Sequence, residues 1–169
     1  TQAKVFNDIA ANAMDIRDRQ FAAINQVIIN EPKKYDFQKA FSKSTVTNDI
    51  SFVNAKNAKI DAEKIIEANS ADEMRFKKAT IESIVKGYNF KGKKGIGLMF
   101  IMESMNKASA QGAMYVTLID LASGKVLLTE RMTAKAAGFG FRNYWAKTIA
   151  EVLKDIQKSK YKEWKANAG

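Results

Sequence analysis

The side chains able to do chemistry in this chain are few in kind. No histidine and no cysteine occurs among its 169 residues. That removes the commonest general base near neutral pH and the commonest metal ligand. It also excludes thiolate nucleophiles, Cys-ligated metals and disulfides, so Ser-His-Asp and Cys-His mechanisms are ruled out. Catalysis would have to run on carboxylates, lysine, tyrosine or serine. Three acids, Glu103, Asp120 and Glu130, fall at or near the ends of strand-like runs. Paired carboxylates in such places could act as acid and base on a saccharide. Their spacing does not fix a separation, acids at strand ends ordinarily face water, and they are too dispersed for a metal. We therefore assign no catalytic residue and expect no cofactor.

Two other stretches have the chemistry of binding. In GFGFRNYW, residues 138–145, two glycines permit a close backbone approach at a helix start. Arg142 and Asn143 there could hold a carboxylate or phosphate. On the plainer reading the glycines make a sharp strand-to-helix turn, Phe139, Phe141 and Trp145 pack the core, and Arg142 pairs with a neighbouring acid. Near the end, Lys158, Lys160, Tyr161, Lys162 and Trp164 interleave basic and aromatic side chains. Such a mix suits nucleic acid or an anionic membrane surface. Its plainer reading is a solvated terminus whose aromatics lie back on the domain. These seven residues, from Arg142 to Trp164, are the candidate binding surface.

The charge balance points the same way. Net charge is +10. Residues 1–90 carry 14 basic and 12 acidic side chains, whereas residues 91–169 carry 14 and 6. A basic half fits an anionic partner, or a lysine face that only confers solubility. No apolar run approaches the ~18 residues needed to span a bilayer.

The elements that must position these residues follow from periodicity. The chain is long enough for one domain, residues 1–169, with a mainly helical first half and a hairpin-plus-helix second half. Residues 4–9 form a short strand. Residues 12–30 read as a helix with Met14, Phe21, Ile24, Val27 and Ile28 on one face, stopped by Pro32. A short helix is expected over 36–42, with Tyr35, Phe37 and Phe41 as anchors. Residues 46–53 read as a strand and 59–68 as a helix. Ser70-Ala71-Asp72-Glu73 has the form of a capping box, opening a helix to Lys86 with Met74, Ile81, Ile84 and Val85 inward and Gly87 as its stop. The glycine-rich NFKGKKGIG that follows is a helix-to-strand turn. A phosphate loop would need Lys directly after its last Gly, then Ser or Thr and a helix.

Residues 96–103 are nearly all apolar, as an interior strand covered on both sides would be. Residues 113–121 alternate, with Tyr115, Thr117 and Ile119 on one face and Met114, Val116 and Leu118 on the other. Gly124 lies in a tight turn, and residues 126–133 return with Val126, Leu128, Glu130 and Met132 sharing a face. Phe141, Trp145, Ile149, Val152 and Ile156 then step by 4, 4, 3 and 4 along a helix. The expected fold is α+β: an antiparallel sheet of three to five strands with amphipathic helices packed on at least one face.

GIGLMFIMESMNK, YVTLIDLASGKVLLTERM and AAGFGFRNYWAKTIAEVLKDI together resemble a group of uncharacterised exported proteins of Bacteroides-type bacteria, over residues 92–158. The resemblance implies a periplasmic or envelope location and carries no activity and no catalytic residues. A start at Thr1 rather than Met fits a removed leader or a trimmed chain. The leading functional expectation is a non-enzymatic envelope protein that binds another protein or an anionic surface component. The alternatives are a nucleic-acid-binding module using the basic second half and, third, a carboxylate-based hydrolase. The oligomeric state is left open.

Overall fold

The structure is a computed structural model that describes residues 3–8, 10–68 and 73–167. Its centre is a five-stranded mixed sheet in the order β2-β1-β3-β4-β5. The three long strands are β3 (Ile96–Asn106), β4 (Gln111–Asp120) and β5 (Lys125–Lys135), paired antiparallel. Short β1 (Lys4–Phe6) lies parallel to β3, and β2 (Ile66–Glu67) lies parallel to β1. The first half of the chain therefore completes the sheet of the second. Ile9 of the expected first strand and Ser70, Ala71 and Asp72 of the expected capping box lie outside the described residues.

The helices cover both faces. On one face α1 (Ala13–Asp15) runs without a break through a π turn (Ile16–Gln20) into α2 (Phe21–Asn30). Beside it lie α3 (Phe37–Ala40), α4 (Ser51–Asn57) and the C-terminal helix. The last is α6 (Phe141–Asp155), a second π turn (Ile156–Lys160) and α7 (Tyr161–Asn167). The stripe on α6 is buried as its spacing requires: Trp145, Ile149, Val152 and Ile156 pack with Met114, Val116 and Met132 of the sheet in the main core. On the opposite face α5 (Lys78–Lys86) presses Ile81 and Val85 onto Ile101 and Ile119. The expectation that β3 is covered on both sides holds for its second half, whereas Ile96 at its start is exposed.

Five readings of the sequence need correction. Residues 46–53 are not a strand: residues 43–50 are irregular and Ser51–Asn57 is helical, with Asp49 just ahead of the helix accepting from the Ser51 amide (3.1 Å) and hydroxyl (2.5 Å). Residues 59–68 are not a helix but a 3-10 turn (Ala62–Lys64) leading into β2. Pairing with β1 overrides local propensity in so short a segment. Met14 is exposed and Ile16 is buried instead. The π turn inserts one residue, which rotates what precedes it by about 100°. Met74 is also exposed, since α5 starts only at Lys78, where the Lys77 amide donates to the Thr80 hydroxyl (3.2 Å). Finally, Val126 does not share the face of Leu128. Leu127 is an extra residue, so Ile119 pairs with Val126 while Leu118 pairs with Leu128, and Val126 turns toward α5.

Candidate functional site

The main core does not close at the start of β3. A partly open cavity of about 1160 Å³ runs along the start of β3, lined by α2, α3, α4 and residues 43–50 on one side and by Ile84, Met99 and Ile101 from the α5 side. Its floor is Leu98, Phe100, Leu118 and Leu128; its walls include Phe21, Ile24, Phe37 and Phe52. The sheet supplies this floor by ordinary alternation. Each floor residue stands on the face toward α2, and the bulge at Leu127 keeps Leu128 there. Small-molecule sites are typically apolar hollows of ~300–1,000 Å³ with a few placed polar groups. This one is somewhat larger than that and is mostly apolar in its lining.

Charged side chains are few along this lining. The charged residues lining the cavity are Lys43, Lys93, Lys94 and Lys165, with one acid, Asp49. The turn between α5 and β3 presents Lys93 and Lys94 in exposed positions. It is held by the Lys93 amide donating to the Phe90 carbonyl (3.0 Å) and the Lys91 amide donating to Asn89 Oδ1 (2.9 Å). Gly92 and Gly95 take positive φ (74° and 92°), which such a turn requires. Beneath the turn, Phe52 and Tyr88 flank Phe90, each with its ring centroid 6.0 Å from it. Lys91 Nζ and Lys93 Nζ stand 5.6 Å and 5.7 Å from the Phe52 ring, within cation–π reach. Lys93 Nζ also meets Asp49 Oδ2 at 3.0 Å. Hydrogen bonds from the Ser51 side chain and from Lys93 hold the Asp49 carboxyl down, at about 2 against an ordinary 3.8.

The seven residues proposed from sequence do not converge. Arg142 is exposed on the first turn of α6, and the Asn143 amide nitrogen donates to the Phe139 carbonyl (3.2 Å), closing the turn on itself. Phe139 does not pack the core; it is 94 % exposed. Trp164 is buried: its Nε1 donates to Glu130 Oε2 (2.5 Å), and its ring lies 6.3 Å from Phe41. Tyr161 meets the same Phe41 edge-on at 5.6 Å. Lys160 is held between Glu130 and Glu163, each at 2.9 Å, which raises its pKa. Of the five tail candidates, Lys158 and Lys162 are exposed. The tail thus takes the plainer of its two readings as far as its aromatics go.

The three strand-end acids also lie apart. Asp120 caps the hairpin turn by accepting from the Ala122 amide (3.0 Å) and the Ser123 hydroxyl (2.8 Å). Glu130 lies on the α6 side; burial raises its pKa, but bonds from Trp164 and Lys160 outweigh that and leave it lowered. Glu103 is wholly buried on the α5 side, as the extra residue of a second bulge between Met102 and Ser104. It accepts from Arg131 Nε (2.7 Å) and from the Phe76 amide (2.6 Å), and the Tyr115 hydroxyl donates to the Phe76 carbonyl (2.6 Å). This network bonds a buried side chain to the segment before α5. Among the described residues no group of acids is placed to hold a metal ion, and no helix is long and apolar enough to cross a membrane.

The cavity was missed in the sequence. Its floor residues read as core, and Lys93 and Lys94 read as parts of a turn. The one available signal was NFKGKKGIG itself, a basic, aromatic-flanked stretch feeding an unusually apolar strand. No protein-family model, curated protein or solved structure matches this chain.

Proposed function

We propose that this is a non-catalytic binding protein of the cell envelope, and that its cavity holds the apolar body of a small lipophilic ligand. The single observation carrying this is the cavity of about 1160 Å³, floored by Leu98, Phe100, Leu118 and Leu128. Apolar surface left open to water is unfavourable by about 25 cal/mol per Å², and a ligand would cover it. The envelope location rests on the resemblance of residues 92–158. The nucleic-acid reading gains no such support, because Trp164 is spent inside the fold and Tyr161 packs on Phe41. The hydrolase reading would need two acids facing one cleft at ~5–10 Å, and the three acids stand in separate surroundings.

The test is uptake of N-phenyl-1-naphthylamine, a neutral probe whose fluorescence rises in apolar surroundings. The native chain should bind it at about one equivalent. Leu118→Trp and Leu128→Trp, which fill the floor, should bind it weakly while keeping the native circular dichroism. No uptake by the native chain, or equal uptake by both filled and folded variants, would dispose of the cavity reading.

A further inference from the structure

We infer that the ligand is an anionic amphiphile whose head rests on Lys93 and Lys94 and takes Lys93 from Asp49. This rests on the cavity reading and specifies the chemistry at its lip. The charges lining the cavity are four lysines against one aspartate. The aspartate and Lys43 belong to the segment 43–50 that walls the mouth, whereas Lys93 and Lys94 stand on the turn before β3. Among the described residues, residues 45–48 have no hydrogen-bond partner. The segment is tied at one root by the Lys43 amide donating to the Gln38 carbonyl and by Gln38 Nε2 donating to the Ser44 carbonyl, both 2.9 Å. Its other root is Asp49, on Ser51 and Lys93. Lys93 and Asp49 are both substantially exposed, with side-chain accessibilities of 47 % and 37 %, so this bond is of the weak surface kind.

An ammonium has three donors and no acceptor, and on Lys93 one oxygen of Asp49 meets the ammonium at 3.0 Å. An incoming carboxylate therefore finds open donors on Lys93 and Lys94 without dismantling any buried structure. Its apolar chain would enter beside Phe52, whose ring lies within cation–π reach of Lys91 Nζ and Lys93 Nζ. A neutral amphiphile forgoes the charge-assisted bonds, which are worth roughly twice neutral ones. A cationic one meets four like charges.

The experiment uses the full chain and displacement of N-phenyl-1-naphthylamine by three surfactants of equal length: dodecanoate, dodecanol and dodecylammonium, all below micelle formation. Dodecanoate should displace the probe about tenfold more effectively than dodecanol, with dodecylammonium weakest. The double variant Lys93→Met, Lys94→Met should lose most of that preference while still binding dodecanol. Asp49→Asn should bind dodecanoate more tightly, by a few-fold, through removing the competing carboxylate. Equal displacement by dodecanoate and dodecanol would overturn the inference and leave the cavity reading standing. A preference that survives in the double variant would do the same. Failure of all three to displace a probe that does bind would confine the cavity to other chemistry and overturn the inference. If the probe itself does not bind, the cavity reading fails first. A last arm offers anionic vesicles: binding to them with the probe undisturbed would assign the lysines to a membrane surface instead.

Discussion

Glu103 shows how a single inserted residue can decide what a strand carries. As the extra residue of a bulge it is turned to the α5 side, out of water, with Arg131 and the Phe76 amide as its partners. The two halves of this ion pair are not equivalent. Glu103 is fully buried, while the Arg131 side chain keeps 21 % of its surface exposed. Removing the arginine strands a buried charge, whereas removing the acid leaves a guanidinium able to reach solvent along its stem. Arg131→Met should therefore be destabilising by about 3–5 kcal/mol, and Glu103→Gln clearly less. Urea denaturation of both variants checks this, and a reversed order would contradict it. Trp145 makes the complementary case in the main core. It is 1 % exposed, with Tyr144 4.9 Å and Phe141 6.2 Å away ring to ring. Trp145→Ala should be destabilising by ~3–5 kcal/mol; a loss under ~1 kcal/mol would contradict the docking of α6.

At the scale of the element, the two π turns and the segment 43–50 govern which faces meet. Ile156 and Trp164 are eight residues apart, which on a regular α-helix sets them about 80° apart, at the edge of one stripe, whereas seven would set them about 20° apart. The π turn between them absorbs one residue and returns Trp164 to the stripe of Ile149, Val152 and Ile156. Deleting exposed Ser159, inside the turn, should let a regular helix form with Trp164 still inward, changing stability by about 1 kcal/mol or less. Deleting equally exposed Lys154, upstream of the turn, should rotate Ile156 out of the core and be destabilising by about 2–5 kcal/mol. Thermal unfolding of both deletions, with tryptophan emission as the report on Trp164, separates the two cases. The segment 43–50 responds to acid. Asp49 has a folded pKa of about 2 and an ordinary one of 3.8. Its contribution is thus complete above pH 3.8 and disappears as pH falls through about 2. An NMR titration of the Asp49 carboxyl should find its midpoint near 2 in the native chain and higher in Lys93→Met.

For the whole molecule, the prediction concerns linkage. A ligand that binds only the folded state at 100 times its Kd adds about 2.7 kcal/mol. In a domain of this size that is a rise in Tm of about 5–11 °C. Dodecanoate should produce it in the native chain, and the Lys93→Met, Lys94→Met variant should need a higher concentration for the same rise.

Much of the architecture was legible in the sequence because it rests on periodicity and local chemistry. The hairpin turn at Gly124, the alternation on β4 and the stripe from Phe141 to Ile156 all follow from spacing that has one good solution against a core. So did the absence of histidine and cysteine, which alone limits the chemistry. The sequence went astray where an element is too short to declare itself or where the register slips. Residues 66–67 are a strand only because β1 lies alongside, and the readings of Met14 and Val126 depended on insertions that periodicity cannot count. The lip of the cavity was beyond it for a further reason. Lys93 and Asp49 are far apart in the chain, and Leu98, Phe100 and Leu128 look like any core residues until the helices above them are seen to stop short. Which apolar side chains are covered, and which are left to a ligand, is decided by how the layers close, and that is a property of tertiary structure alone.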